Sequence, residues 1–116
     1  MSVIVTKYNK ELSIDECWYD SSNIKYSKCY DKKDDYKDLE VVFKDGRRYL
    51  YKGLIVQDYL LFRSDLSQGK ALNKYITCKK NDGTNKYEFE KLEKIDISDI
   101  EKEKNILLEE KANKNE

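Results

Sequence analysis

Five residues in the middle of this chain are of the types that bind anions: Arg47, Arg48, Arg63, Lys70 and Asn73. A guanidinium presents a planar fork that holds phosphate or carboxylate with two hydrogen bonds. An ammonium adds a point charge, and an amide offers both a donor and an acceptor. Tyrosine faces beside such a set would add a stacking surface for a base. The charge distribution agrees. Residues 47–80 contain eight lysines and arginines against only Asp58 and Asp65, a net +6, so the rest of this neutral chain carries −6. That separation implies a polarised molecule with one basic face. The zero total, in turn, provides no global field of the kind that draws basic proteins onto nucleic acid or anionic membranes.

Other chemistries are excluded in sequence terms. The chain has no histidine, which removes the usual neutral-pH base, the Ser-His and Cys-His nucleophile pairs and the mixed Cys/His metal sites. Cys17, Cys29 and Cys78 are odd in number and widely spaced, which fits reduced, partly buried thiols and neither a zinc site nor a disulfide framework. The acidic neighbours Asp15 with Glu16, and Asp34 with Asp35, lie in polar surroundings and are expected to be solvated. The four glycines stand too far apart for a phosphate-cradling loop. No catalytic residue, metal or cofactor is expected. With no apolar run approaching the roughly 20 residues of a membrane span and no leader pattern, a cytoplasmic location without membrane contact is the expectation.

The elements that must position the basic residues follow from periodicity. The 116 residues suit one small domain. Leu39, Val41 and Phe43 alternate with Glu40, Val42 and Lys44, and Tyr49 and Tyr51 alternate beyond Gly46. A three-residue loop of Lys44, Asp45 and Gly46, with Gly46 left-handed, sets Val41 across from Tyr49 and Leu39 across from Tyr51. After Gly53 the period lengthens, and Ile55, Tyr59, Phe62 and Leu66 predict one amphipathic helix stopped at Gly69. A further helical turn over "KALNKYI" adds Leu72 and Ile76 to the core.

Val3, Val5 and Lys7 suggest a first strand, and Ile24, Tyr26, Lys28 and Tyr30 another. "NKYITCKKNDGTNKYEFEKLEKI" reads as a hairpin turning at Asn81, Asp82, Gly83 and Thr84. A last helix is predicted from Ser98 as N-cap with Glu101 as its capping-box partner. Its stripe is Ile100, Leu107 and Leu108, and its end is frayed from Ala112. The expected class is α+β: a small antiparallel sheet of hairpins or a meander, packed on one main amphipathic helix, with a C-terminal helix.

The ordered set "SSNIKYSKCYD", "LEVVFKDGRRYLYKGL" and "DYLLFRSDLSQGKALNKYI" resembles the KTSC domain. This short module is found at the C-terminus of some lysyl-tRNA synthetases and alone in small bacterial and phage proteins. The resemblance covers residues 21–76, leaving 1–20 as an N-terminal strand extension and 77–116 as a C-terminal hairpin and charged helix. Two departures stand out: Val56 and Gln57 occupy the place of the family's helix-opening proline, and Ala71 and Leu72 replace its aromatic pair. The resemblance implies a binding module and not an enzyme. The expected function is a small binding or inhibitor protein, phage- or mobile-element-encoded, that sequesters a host-defence protein, a nucleoprotein or a phosphate-bearing nucleotide-type ligand. The alternative is an RNA-binding accessory module that uses the same basic residues, and homo-oligomers are compatible with both.

Overall fold

The computed structural model describes residues 3–32 and 35–114. Six strands run as one antiparallel meander in the order β1 to β6. They are β1 Val3–Asn9, β2 Ile14–Tyr19, β3 Ile24–Asp31, β4 Tyr36–Phe43, β5 Arg48–Ile55 and β6 Glu88–Leu92. The first helical layer comprises α1 Val56–Ser64, α2 Gln68–Ala71 and a π-helical turn Leu72–Ile76, and α3 Ser98–Lys114 ends the chain. The class is α+β, as the periodicity implied. The helices cover both sheet faces, however, giving three layers.

Neighbouring residues of a strand point to opposite faces, so a sheet covered on both sides contains two cores. Leu39, Val41, Tyr51 and Leu54 pack with Tyr59, Phe62, Leu72 and Ile76 on the α1 side. Val5, Trp18, Tyr26 and Val42 form the second core, against which Ile100 and Leu107 of α3 pack. Strand β2 shows the consequence. Cys17, Trp18 and Tyr19 are all buried, so their run carries no polar alternation by which a strand could be read. The register shifts between Val3 and Val5 in β1 and between Ile24 and Tyr26 in β3. The expected single face of Ile24, Tyr26, Lys28 and Tyr30 is therefore corrected: Ile24 joins the α1-side core and Tyr26 the α3-side core.

The central hairpin has the expected register, Val41 opposite Tyr49 and Leu39 opposite Tyr51. Gly46 is left-handed at φ +92°. The helix that follows differs from expectation. β5 continues through Ile55, which is exposed, and Leu54 takes the core position instead. Leu66 lies beyond the helix end and is 78% exposed. The helix is stopped by Gln68 and not by Gly69. The buried Gln68 amide donates to the carbonyls of Phe62, Arg63 and Asp65, the last at 2.8 Å, and so satisfies the acceptors that a helix end leaves open. Gly69 itself lies inside α2.

Two further expectations are corrected at the C-terminal end. The turn at residues 81–84 forms, with Lys80 N–H donating to the Thr84 carbonyl at 2.8 Å, but its flanks share only the bridge between Lys79 and Asn85. β6 pairs with β5 instead. The capping box is also absent. Ser98 is already helical, Asp96 Oδ1 accepts its N–H at 2.9 Å, and the Glu101 carboxylate is taken by Lys25 and Lys104. Asp34 lies outside the described residues.

Gly46 also anchors α3. Its carbonyl accepts the Ile95 N–H at 3.0 Å, and a Cβ at this position would run into the Ile95 carbonyl oxygen. Gly83 has a similar φ of +84° but open space around it. Gly83→Ala is therefore expected to cost about 1 kcal/mol, the strain of a positive φ alone. Gly46→Ala should cost about 3 kcal/mol or more, because the backbone at Ile95 must also move. Urea denaturation of both variants checks this; equal losses at the two glycines would remove the Ile95 contact from the account.

Candidate ligand site

The meander is wider than the α1 layer, and at its β5–β6 end the aromatic floor is left partly open. Tyr49 and Tyr51 project from β5 on the α1 side and Phe89 joins them from β6. The rings form a continuous cluster. Tyr49 and Tyr51 stack with centroids 6.4 Å apart, and Phe89 lies 6.3 Å from Tyr49 and 6.0 Å from Tyr51. Phe43 meets Tyr49 edge-on at 5.8 Å. Such offset and edge contacts fix ring positions through their quadrupoles.

Above this floor the π-helical turn brings Ile76 and Thr77 to the opening, and the segment after it supplies Lys79, Asn85 and Tyr87. The result is a mostly apolar cavity of about 290 Å³, with one ammonium and one amide at its rim. Lys79 Nζ donates to the Asn85 amide oxygen and has no carboxylate partner among the described residues. Its charge is thus uncompensated where it faces the cavity. Tyr87 is held by donating to Asp58 Oδ2 at 2.5 Å while accepting the Ile55 N–H at 3.3 Å. Burial, with that hydrogen bond, pushes its phenol up to about 12, and burial does the same for Tyr51. Both remain neutral phenols at ordinary pH.

The five anion-binding residues singled out by type are not brought together. Arg47 sits at the hairpin turn, ion-paired with Asp45 at 2.7 Å and lying over the Phe43 ring. Arg48 points to the α3 side, where it meets Glu40 at 3.6 Å and donates to the Glu93 carbonyl at 2.7 Å. Arg63 lies on the α1 side, with Nε 3.1 Å from Asp15 Oδ2 and 3.1 Å from Cys17 Sγ. Lys70 and Asn73 are exposed on α2 and the π-helical turn, and the Asn73 amide oxygen accepts the Thr77 hydroxyl at 3.0 Å. The expected single basic face is therefore corrected. Strand alternation sends Arg47 and Arg48 apart, and each arginine has a carboxylate beside it.

The solvated reading of Asp15 and Glu16 is corrected too. Asp15 accepts Tyr59 OH at 2.5 Å beside Arg63, and Glu16 accepts Tyr26 OH at 2.5 Å on the other face. Burial raises the Cys17 thiol and Asp15 adds to that rise, against an opposing pull from Arg63. Cys17 is thus a buried thiol held protonated, not an activated nucleophile. Among the described residues no group of three or more His, Cys, Asp or Glu side chains is placed to hold a metal ion, and no helix is long and apolar enough to cross a membrane.

Sequence reasoning placed Tyr49 and Tyr51 in the core and passed over Lys79, Asn85, Tyr87 and Phe89. The alternation of Tyr87, Phe89 and Lys91 was available as a signal, but its pairing partner was not, because β6 leaves its own turn to join β5. Searches against protein-family profiles, characterised proteins and solved structures return no match to this chain.

Two expectations follow. Arg48→Glu should lower stability by about 1–3 kcal/mol, since it places a carboxylate against Glu40 and removes a charged donor from a carbonyl. Arg47→Glu should change it by under about 0.5 kcal/mol, as at other exposed sites. Urea unfolding compares them, and equal losses would contradict the assigned faces. The second concerns alkali. Thiols and phenols whose folded pKa values lie above their ordinary 9.0 and 10.0 hold protons that the unfolded chain releases first. Their stabilisation is complete below pH 9 and is lost as pH rises towards about 12, the value for Cys29 and Tyr51. Circular dichroism with tyrosinate absorbance should show unfolding and phenol ionisation together in that window. Full tyrosine ionisation with the fold intact would contradict the burial assigned to these rings.

Proposed function

We propose that this protein is a non-enzymatic binding protein that captures a planar, anionic, nucleotide-type ligand in the cavity between Tyr49, Tyr51, Phe89 and residues 77–87. The observation that carries the reading is the pairing of an aromatic floor with an unneutralised Lys79 at the rim. Aromatic faces stack a base whatever its identity, and the ammonium favours an attached phosphate. The lining contributes no carboxylate or thiol, so it suits holding a ligand better than transforming one. The resemblance of residues 21–76 to the KTSC domain agrees with a binding unit, and sequestration of a small signal or metabolite by a phage- or mobile-element-encoded protein is the role this arrangement serves. The RNA-binding alternative is less well supported, because Arg47, Arg48 and Arg63 are each engaged by a carboxylate and do not share a face.

Isothermal titration with nucleoside monophosphates, the matching nucleosides and a short single-stranded RNA tests the reading. Monophosphates should saturate one site, nucleosides should bind more weakly, and Phe89→Ala should reduce affinity by about 5- to 100-fold through loss of a stacking face. Phe89 is 51% exposed, so its removal leaves the core intact. No saturation by any monophosphate, or Phe89→Ala binding as wild type does, would end this reading. Tight RNA binding with a steep salt dependence would favour the RNA module instead.

A further inference from the structure

Half of the cavity's lining, Thr77, Lys79, Asn85 and Tyr87, belongs to a single strap, residues 77–87. The strap has its own turn, with Gly83 N–H donating to the Lys80 carbonyl and Lys86 N–H donating to the Cys78 carbonyl, while residues 79–85 are exposed. Thr77 ties its N-terminal end to the π-helical turn, and Asp58 of α1 fastens its C-terminal end. There Tyr87 OH donates to Asp58 Oδ2 at 2.5 Å, and Lys86 Nζ lies 2.8 Å from the same oxygen. Asp58 is only 6% exposed and stands in the first turn of α1, where the helix dipole also favours its charge. A carboxylate out of water depends on its donors, so these two contacts either hold together or are given up together.

The volume adds an independent observation. About 290 Å³ is at the lower limit of pockets that enclose a small ligand, which are roughly 300 Å³ and upward. A nucleotide-sized occupant fills that volume up to its outer wall, and that wall is the strap.

We propose that Asp58 is the latch of a gate. The strap lifts from the aromatic floor when Tyr87 and Lys86 leave Asp58, and this movement admits and releases the planar anionic ligand. Closure returns the strap-borne Lys79 to the ligand's anionic group. The inference rests on the small-ligand reading above and adds to it the element that moves and the residue that holds it. Asp58 acts as a positioning residue: it reaches the cavity only through Tyr87.

The test compares wild type with Asp58→Asn and Tyr87→Phe, using hydrogen exchange without ligand and stopped-flow binding of anilinonaphthalene sulfonate, a planar aromatic anion. Asp58→Asn should exchange the Ile55 amide, whose N–H the Tyr87 hydroxyl accepts, about tenfold faster or more, with β3 and β4 unchanged. The dye should associate and dissociate faster in both, with each rate changing more than their ratio. Unchanged Ile55 exchange in Asp58→Asn overturns the latch. Faster exchange with unaltered dye rates overturns the gate. If Asp58→Asn fails to fold, the dye rates of Tyr87→Phe decide, since that change removes one hydroxyl from a half-buried ring, and unaltered rates overturn the gate. Should neither dye nor monophosphates bind wild type, the small-ligand reading falls and the gate with it, while exchange still reports whether Asp58 fastens the strap.

Discussion

A sheet that must bury both faces constrains everything else in this molecule. Val41 and Val42 are both fully buried although they point in opposite directions, and the same holds for Cys17 and Trp18. At roughly 25 cal/mol per Å² of apolar surface, such burial on two sides is the main favourable term available to so small a domain. It also requires two helical layers. α1 with its π-helical continuation covers one face. α3 is held over the other by the Trp18 indole donating to the Ile100 carbonyl at 3.0 Å and by the Gly46–Ile95 contact. Neither layer reaches β6, whose residues are almost all exposed. The cavity exists because the sheet outruns its cover.

Polar groups drawn inside by this arrangement meet one or two specific partners. Asp15 holds Tyr59 and Arg63, Glu16 holds Tyr26, Asp58 holds Tyr87 and Lys86, and Tyr19 meets Ser27 at 2.7 Å. Four of these pairings use a tyrosine hydroxyl, which allows a large ring to be buried while its one polar atom stays satisfied. The abundance of tyrosine is thus a structural device over most of the molecule. Tyr49, Tyr51 and Tyr87 in addition line the candidate site. The distinction between packing tyrosine and ligand-facing tyrosine lies in where the helical cover ends.

Charge behaves the same way. Eight basic residues between 47 and 80 look like a surface when written in line. Folding distributes them over two faces and sets carboxylates beside Arg47, Arg48 and Arg63. What remains for an incoming anion at the cavity is Lys79, which local density did not single out, because a charge count records neither direction nor partner.

The sequence by itself determined the α+β class, the central hairpin with its register and its left-handed glycine, and a final helix near Ser98. Each follows from local rules: alternation, a turn that only glycine fits, and helical spacing. Tertiary structure alone decided that β2 is a strand, that Gln68 and not Gly69 ends α1, that β6 joins β5, and that Tyr49, Tyr51, Tyr87 and Phe89 share a cavity with Lys79. In each case the deciding contact lies outside the local pattern. Burial on both faces erases the polar alternation that marks a strand, a helix stop made by a side chain has no fixed spacing, and pairing beyond the nearest turn depends on which edge is left uncovered. The candidate site is built at that uncovered edge, which is why its residues carried no pattern of their own.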